Sequence, residues 1–577
     1  MRILAQEQSD LGYVNDVMDT FHTHWEGKLM DGTIELPKLN RSPVVILFMS
    51  IGNPEIRAKV EHVLADNLQK AMDRLRDKAQ QLVRKNHVDP KWIKFDFVTH
   101  IQELSFTELV KQIAKTRRNY FRSGIAFDQD FRLAFLEQEI NGNAMIRSVN
   151  KSPLQLNEKN INGYLKNTPT HTIPFMKKRY ANKLVYTFQT EAAFIERDKE
   201  QLFELYNGKL TNGIRKTNDT EAEITSLIRD TTYFLQSQVK EDGQFEYGYF
   251  SAFAKRIPTY NILRHSSTLY SMVEGYELIR DESILETIKK GIDYAIREAM
   301  VYQDEEKSVA FMVDYANHQE IKLGASATAI LAMAKYMEVT NSDTYMKEAQ
   351  ALARGILEMK TISGGFIHVL SYPGFEIKEV HRIIYYEGEA VFSLLRLYAL
   401  DKNEKWLEEA KKSLDYFIEN DYWKHHDHWL SYAANEITDY LPEDKYFAFG
   451  LQNCQDRLSF IYHRDTTFPT FLELTMAAYK LVKKIKQLSK DHLLEHIDEA
   501  YLKETIDRRA EYQRVGYFYP EVAMYMKDPS LILHGFFIRH HSLRVRIDDV
   551  EHYLSGYCQF VQYRLPDVEG ALTITDI

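Results

Sequence analysis

The alternation of hydrophobic and polar residues divides the chain into two regions with different periods. In the first region, VVILFMSIG (Val44 to Gly52) is almost continuously apolar and predicts a buried strand. SFTELVKQIAKT predicts a short helix, for which Ser105 is a suitable N-cap. Between them, PEIRAKVEHVLADNLQKAMDRLRDKAQQLVRKN carries apolar residues at helical spacing and predicts one helix with Pro54 near its start.

Further strand-like pieces complete this first region. They are WIKFDFVTHI, SGIAFD, LAFLEQEI and KLVYTFQ. The pattern predicts an α+β domain over residues 42–205, after an extension of residues 1–41 that shows no clear period. Neither a glycine-rich phosphate loop nor a metal-like spacing of His and Cys occurs in it. A binding or scaffolding role, including contact with a protein partner, is therefore the expectation for this domain.

From about residue 219 the pattern becomes helical and contains an internal repeat. Tyr276, Tyr336 and Tyr398 occupy equivalent places in three units, each of which is a helix, a short turn and a second helix. The three units are RHSSTLYSMVEGYELIRDESILETIKKGIDYAI, LGASATAILAMAKYMEVTNSDTYMKEAQALARGI and YYEGEAVFSLLRLYALDKNEKWLEEAKKSLDYFI.

The two helices of each unit have different faces. The second is amphipathic, as the stripe of Ile284, Ile288 and Ile292 shows, whereas the first is apolar nearly all round, as in ASATAILAMA. One set therefore lies inside and the other outside, and the alternation over residues 219–577 predicts an (α/α)6 toroid. Outer helices are predicted to begin near Glu221, Ser283, Asp343, Glu404, Glu443 and His492. Inner helices are predicted to begin near His265, Ala325, Glu387, Asp427, Pro469 and His541.

With this repeat and with the phrases LRHSSTLYSM and YYEGEAVFSLLRLY, residues 219–565 resemble the six-hairpin toroid superfamily. Its members include many glycoside hydrolases, the acylglucosamine 2-epimerase group and the C-terminal domain of glucuronyl C5-epimerases. The resemblance implies an enzyme that acts on a carbohydrate. It leaves open whether two acids flank a glycosidic bond, a proton is abstracted next to a carboxylate, or a reducing end is opened.

The long connections all precede inner helices, so they gather at the end of the toroid where those helices begin. Free N–H groups and the positive end of the dipole make such an end attractive to anions. Five of the six predicted starts carry ionisable residues, and the opposite end does not show this set. The starts are Arg264-His265, Gly324-Ala325, Tyr386-Glu387-Gly388-Glu389, His425-His426-Asp427-His428-Trp429, Arg464-Asp465-Thr466-Thr467 and Arg539-His540-His541.

We predict that these residues face a shared central funnel. Glu387 or Glu389 would act as acid or base, with Asp427, His428 or His541 as proton-transfer partner; Arg264 and Arg539 would anchor a carboxylate. The remaining predicted substrate-binding residues are His265, Tyr386, Trp429, Arg464, His540 and Arg544.

Structural explanations compete with these roles. The glutamates would stabilise the helix dipole, and Asp427 would be an N-cap. Asp548 and Asp549 would form buried ion pairs with Arg544 and Arg546.

Composition limits the remaining function classes. The 577 residues carry a net charge of −10, which gives no indication of nucleic-acid binding. With only two cysteines, Cys454 and Cys558, the chain has no disulfide framework. It also does not fit the lanthionine cyclases, whose zinc needs two cysteines and a histidine, because Cys454 falls on a predicted outer helix. The N-terminus lacks a signal-peptide pattern, and no apolar run is long enough to cross a bilayer. We therefore expect a cytoplasmic protein that needs no metal or other cofactor and has no membrane partner.

These observations favour a hydrolase or epimerase for an acidic, uronate-containing sugar. Two alternatives remain: a tailoring enzyme for an acidic peptide polymer such as polyglutamate, whose charge suits the same basic funnel, and a non-catalytic scaffold. An inert scaffold would not need charged residues at five helix starts of one end.

Overall fold

Twelve helices between residues 220 and 559 form two concentric rings in the structure, a computed structural model that describes residues 2–148, 150, 152–166, 173–199, 201–495, 497–568 and 572. Each inner helix packs against the next, and the sixth packs against the first, so the inner ring is closed. The predicted (α/α)6 toroid is thereby confirmed. The inner helices are Ile262–Ile279, Leu323–Thr340, Tyr385–Asp401, His428–Ile437, Thr470–Gln487 and Ile547–Gln559.

The outer helices pack their apolar faces against the inner ring, as their amphipathic pattern predicts. Its helices are Thr220–Ser237, Glu282–Ala299, Met346–Glu358, Glu404–Glu419, Asp444–Gln455 and Glu499–Gln513. Single turns and short helices lie between the ring helices and after the last one. They are Ser251–Phe253, Tyr422–His425, Leu458–Tyr462, Asp491–Leu494, Arg514–Gly516, Pro520–Ala523, Pro529–Leu531, Arg539–His541, Phe560–Arg564 and Leu565–Asp567.

The predicted start of the sixth inner helix at His541 is wrong. Arg539–His541 forms a single 3-10 turn, and the helix begins at Ile547. Between them, Arg544–Arg546 pairs as a strand with Gly248–Phe250, because its alternating side chains suit a sheet better than a first helical turn. The sixth outer helix likewise begins at Glu499 rather than near His492.

Short antiparallel strands cover the end of the toroid at which the inner helices begin. Three of them form one sheet and five form another. The first sheet contains Gly248–Phe250, Lys255–Arg256 and Arg544–Arg546. The second contains Met300–Tyr302, Ala310–Asp314, Glu320–Lys322, Val369–Ser371 and Ile377–Glu379.

The α+β part contains a seven-stranded antiparallel sheet with Trp92–Ser105 and Leu184–Glu196 as central neighbours. Ser105 caps the following helix as predicted: its hydroxyl accepts from the Glu108 N–H, and the Glu108 carboxylate accepts from the Ser105 N–H. The other strands of the sheet are Val45–Asn53, Ile56–Ala65, Gly124–Ala126, Ala134–Phe135 and Gln201–Glu204. Short pairs are Lys38–Leu39 with Ser42–Pro43, and Ile146–Arg147 with Gln155–Leu156. The helices of this part are Arg2–Met30, Leu68–Asn86, Phe106–Lys115, Glu137–Gly142, Glu158–Leu165 and the 3-10 turn Lys177–Arg179.

Three segments of this part have a secondary structure that their sequence pattern did not indicate. The segment after Pro54 is first a strand, Ile56–Ala65, in a hairpin with Val45–Asn53, and the helix begins only after the Asn67 cap. Edge pairing overrides the helical spacing there. The first residues form the helix Arg2–Met30, whose buried stripe includes Val14, Val17, Phe21 and Trp25. LAFLEQEI is a strand only at Ala134–Phe135, and a short helix follows.

The α+β part is anchored to the toroid by the segment between the sixth outer and sixth inner helices. Met524 and Tyr525 pack into the core of the sheet, and the Ala58 N–H donates to the Met524 carbonyl at 2.8 Å. Arg215 and Glu521 form a buried bidentate ion pair with N–O distances of 2.9 and 2.6 Å. The α+β part therefore lies beside the loop-bearing end of the toroid.

No helix in the described ranges is both long and apolar enough to cross a membrane.

Candidate active site

A cavity of about 310 Å³ opens at the end of the toroid where the inner helices begin. We call it the central cavity. Five of the six inner helices contribute residues from their starts or first turns, so the prediction of one shared funnel agrees with this geometry. Its lining is Arg264, Ile384, Tyr385, His425, His426, Asp427, His428, Trp429, Phe468, Pro469, Thr470, Ile538, His541, Arg546, Asp548, Asp549 and His552.

Two histidines and one buried glutamate from three different inner helices meet at the wall of this cavity. His552 Nδ1 lies 3.0 Å from Glu473 Oε2, and His428 Nε2 lies 3.9 Å from the same oxygen. The imidazole rings are 5.1 Å apart and nearly perpendicular. Glu473 is 1% exposed, so its Oε2 faces the two rings rather than solvent, and that oxygen accepts no hydrogen bond from the described residues.

The ring nitrogen of each histidine that is farther from Glu473 lies near a second carboxyl group. His428 Nδ1 lies 3.4 Å from Asp427 Oδ1, and His552 Nε2 lies 3.5 Å from Glu551 Oε1. A carboxylate beside Nδ1 favours the tautomer with its proton there, which leaves the Nε2 lone pair of His428 directed towards Glu473. One ligand atom from each of His428, Glu473 and His552 lies within 4.8 Å of the other two, so these three residues could also hold a metal ion.

Burial favours the neutral forms of the central pair. Burial, reinforced by the positive charge of Arg264, lowers the pKa of His552 to about 4. Burial raises the pKa of Glu473 to about 7, although His428 and the Tyr432 hydroxyl oppose the shift. A neutral imidazole and a carboxyl that titrates near pH 7 are suited to general acid–base catalysis.

Arg264 supplies the positive charge next to this pair. Its Nη2 donates to the Tyr385 hydroxyl at 2.8 Å, and its Nε lies 3.7 Å from Asp548. The predicted ion pairing is present, because Arg546 holds Asp549 in a bidentate contact and also lies 3.0 Å from Asp548. Both arginines of the cavity are therefore paired with carboxylates.

Five of the residues predicted from the sequence line the central cavity: Arg264, Asp427, His428, Trp429 and His541. The Asp427 side chain also caps its helix, accepting from the Leu430 N–H at 3.0 Å. The positive charge of Arg544, added to burial, lowers the pKa of His541.

Glu389 lies beneath the cavity rather than in its lining. It is fully buried against Gly324, neither oxygen has a hydrogen-bond partner among the described residues, and burial raises its pKa well above the usual range. An enclosed carboxyl outside the lining does not reach the central cavity as the acid or base that we predicted.

Glu387 faces away from the central cavity. Its Oε1 lies 3.0 Å from His368 Nε2 and 3.5 Å from the Tyr422 hydroxyl. His381 completes a second group that could hold a metal. However, His368 Nδ1 accepts backbone N–H groups from Arg382 and Ile383, so a neutral His368 carries its proton on Nε2 and has no lone pair there for a metal.

Four predicted binding residues have structural roles instead. His265 is buried between the Gly291 carbonyl, 2.8 Å from Nε2, and the Tyr260 hydroxyl, 2.7 Å from Nδ1. Tyr386 is buried against the His368 ring. Arg464 lies over Phe460 and donates to Thr466. Arg544 lies 3.6 Å from Asp549 behind the lining.

Arg539 and His540 belong to the contact with the α+β part. The Arg539 guanidinium lies 3.9 Å from Glu137, and its carbonyl accepts from Asn119. His540 stacks edge-on against His541. The turn at Arg539–His541 removes both side chains from the helix start, so Arg539 does not reach the central cavity as a carboxylate anchor.

Sequence reasoning missed Glu473, His552 and Glu551. Two signals were available. Glu473 is the single charged residue of FLELTMAAY, the otherwise mostly apolar beginning of an inner helix. His552 and Asp548 are four residues apart and therefore share a helix face.

The opposite end of the toroid is also charged, contrary to the sequence-based expectation. A cavity of about 820 Å³, which we call the distal cavity, opens where the inner helices end. Hydrogen bonds join it to the His428–Glu473–His552 cluster: Gln559 donates to the Tyr432 hydroxyl at 2.7 Å, and that hydroxyl donates to Glu473 at 3.0 Å.

No family model matches the sequence, and no curated protein matches it. Among solved structures, the cellobiose 2-epimerase of Bacillus thermoamylovorans B4167 is 11% identical with a TM-score of 0.46, over 59% of this chain and 99% of that one. A D-mannose isomerase is 13% identical with a TM-score of 0.44, over 60% and 98%. The α-1,6-mannanase GH76A of Salegentibacter sp. HEL1_6 is 12% identical with a TM-score of 0.40, over 60% and 100%. At such identity the likeness is one of fold, not of activity.

Proposed function

We propose that this protein is a sugar isomerase or epimerase that transfers a proton at the carbon next to a carbonyl group. The observation that carries the proposal is the pair of imidazoles, His428 and His552, that share the buried carboxyl of Glu473 at the wall of the central cavity. Such a step needs a base for the carbon-bound proton and an acid for the carbonyl oxygen.

The reaction would run through an enediol. One imidazole of the pair takes the proton from carbon, the electron pair of that C–H bond forms the C=C bond, and the carbonyl oxygen takes a proton that Glu473 supplies through the other imidazole. Arg264 stabilises the negative charge that develops on this oxygen. The imidazole then gives its proton to the former carbonyl carbon, and the hydroxyl on the first carbon returns a proton to Glu473 through the other imidazole and becomes the new carbonyl, which restores both groups.

The spacing of the two rings favours isomerisation over epimerisation by two opposed bases. A carbon held between two bases needs about 3–3.5 Å to each of them. Ring centres 5.1 Å apart leave too little room for it, so both histidines act from one side of the substrate. A proton removed and returned on one face suits aldose–ketose exchange.

Hydrolysis receives less support. Two carboxyl groups would have to flank a glycosidic bond, one as acid and one as base or nucleophile. Asp549 is held by Arg546, Asp427 is an N-cap, and Glu551 accepts from Ser267 and Thr268. Each of these carboxylates is occupied by a structural contact.

The cavity suits a small, uncharged sugar. Its volume is at the lower end of the range for small-molecule sites, and Trp429, Tyr385 and Phe468 offer aromatic surface. Because both of its arginines already face aspartates, the reason for expecting a uronate or polyglutamate is weakened. An acidic substrate remains a prediction.

The test is incubation with a panel of neutral aldoses, ketoses and uronic acids in D₂O, followed by proton NMR. We expect deuterium at the carbon next to the carbonyl and formation of the isomer, both lost in His552→Gln. Release of a reducing end from a glycoside without deuterium incorporation would contradict the proposal. Inactivation by a chelator and recovery with a divalent metal would show instead that the His428–Glu473–His552 cluster works as a metal site.

A further inference from the structure

The distal cavity contains five acidic and five basic side chains within a wall made by the last turns of the inner helices. Helix C-termini carry partial negative charge, so lysines are favoured there and acids are not. The charged lining is Glu274, Glu277, Lys335, Glu338, Arg396, Glu436, Asp439, Lys480, Lys483 and Lys484.

Eight of these ten side chains are in ion pairs. Lys335 lies 2.8 Å from Glu277 and 3.6 Å from Glu338, and Arg396 contacts Glu338 and Glu436. The other two pairs are Lys484 with Asp439 at 2.6 Å and Lys483 with Asp567 at 3.0 Å. Their charges are satisfied without a ligand.

Glu274 and Lys480 are the exceptions. Within the described part of the chain, neither has an oppositely charged group inside 4.0 Å. Glu274 accepts one hydrogen bond from Ser555 at 2.5 Å, and the Lys480 ammonium lies 4.7 Å from the centre of the Tyr563 ring. Both residues lie more than one turn before the ends of their helices, so neither acts as a helix cap.

The surroundings of the Glu274 carboxyl and the Lys480 amine disfavour the charged form of each group. Burial raises the pKa of Glu274 to about 7, and burial lowers the pKa of Lys480 to about 8. The floor beside them adds the hydroxyl groups of Tyr270 and Tyr432 and the amide of Gln559. The buried amide oxygen of Gln559 has no hydrogen-bond donor among the described residues.

We infer that the distal cavity is a second binding site, for a small zwitterion with one carboxylate and one ammonium group. Its carboxylate would pair with Lys480, and its ammonium group would pair with Glu274 and reach the Gln559 amide oxygen. A ligand with one charge would leave the opposite protein charge in the cavity without a partner, which costs free energy. A zwitterion satisfies both, and the eight paired side chains form the wall around it.

The experiment is calorimetric titration of the full chain with glycine, β-alanine and γ-aminobutyrate, whose charges are increasingly far apart. Propionate and propylammonium serve as probes with a single charge. We expect one zwitterion to bind. Lys480→Met and Glu274→Gln should each weaken it roughly 10- to 100-fold, the effect of losing a charge-assisted hydrogen bond. Lys483→Met, which removes a paired lysine from the same wall, should leave the affinity unchanged.

Three results would overturn the inference: propionate binding as tightly as the zwitterions, binding that survives Glu274→Gln, or no binding of any zwitterion. Circular dichroism confirms that each variant is folded. The site does not depend on the proposed catalysis, so His552→Gln should bind the zwitterion with wild-type affinity even though it is inactive. Failure of one proposal is therefore distinguishable from failure of the other.

Discussion

The central and distal cavities lie at opposite ends of one ring of helices, and both are rich in ionisable groups. In the distal cavity, eight of ten charged side chains are in ion pairs, seven with one another and Lys483 with Asp567. In the central cavity, the arginines are paired, but His428 and His552 face a shared carboxyl and the open volume beside it. Charge density therefore does not distinguish the two ends, whereas two imidazoles that face one carboxyl beside an open volume occur at the central one, which is why we propose it as the active site.

Each cavity also contains a carboxyl whose pKa burial raises to about 7, Glu473 in one and Glu274 in the other. Burial of such a group destabilises the folded protein at neutral pH. Strongly shifted pKa values cluster at functional sites, so we compare the two cavities through Glu473 and Glu274.

The largest expected effect is a loss of activity on substitution in the central cavity but not in the distal cavity. His552→Gln removes the proton-transferring ring while it keeps a polar side chain of similar reach. We expect kcat to fall about 10²- to 10⁴-fold with a much smaller change in KM, because a general acid–base contribution is lost. Lys483→Met at the distal end is the matched control and should retain wild-type kcat in the same steady-state assay.

The second effect concerns the docking of the α+β part beside the central cavity. Arg215→Met leaves the buried Glu521 without its partner, so the free energy of unfolding should fall by about 3–5 kcal/mol. Urea denaturation measures it. The double variant Arg215→Met, Glu521→Leu should recover most of the loss. Equal instability of the single and double variants would mean that packing, and not the unpaired charge, dominates.

The third effect compares the two raised carboxyls through pH. A raised pKa means that the folded state binds the proton more tightly. The stability it contributes is therefore present below about pH 4.5 and is lost as the pH rises through about 7. Each group accounts for about 3 kcal/mol at most.

Glu473→Gln and Glu274→Gln should therefore each flatten the decline in stability between pH 5 and pH 8, as thermal unfolding across that range would show. Only Glu473→Gln should abolish activity. A loss of activity in both variants would mean that the distal cavity takes part in the catalytic step.

The smallest effect tests the hydrogen bond that joins the two cavities. Tyr432→Phe removes a donor that stabilises the Glu473 carboxylate, so the pKa of that group should rise further. The alkaline limb of kcat/KM should move upward by up to about one pH unit. The control is Tyr270→Phe, which removes the hydroxyl of another buried tyrosine that lines the distal cavity. An unchanged limb in Tyr432→Phe would show that Glu473 is not the group that titrates.

The fold was largely predictable because it depends on patterns that repeat. In the three aligned units the inner helices are apolar nearly all round and the outer helices on one face, and inner and outer helices alternate through all six pairs. The α+β part was less predictable. Ile56–Ala65 has helical spacing but pairs as a strand, because its neighbour Val45–Asn53 offers an unsatisfied edge.

The sequence by itself determined which end of the toroid collects the loops and which helix starts carry ionisable residues. It could not choose between neighbours such as Arg264 and His265, because successive side chains on a helix point about 100° apart. Arg264 lines the central cavity, whereas His265 is buried between Tyr260 and Gly291. The rotation of each inner helix, and hence the meeting of His428, Glu473 and His552, follows from how all six helices pack around one axis, and only the tertiary structure decides it.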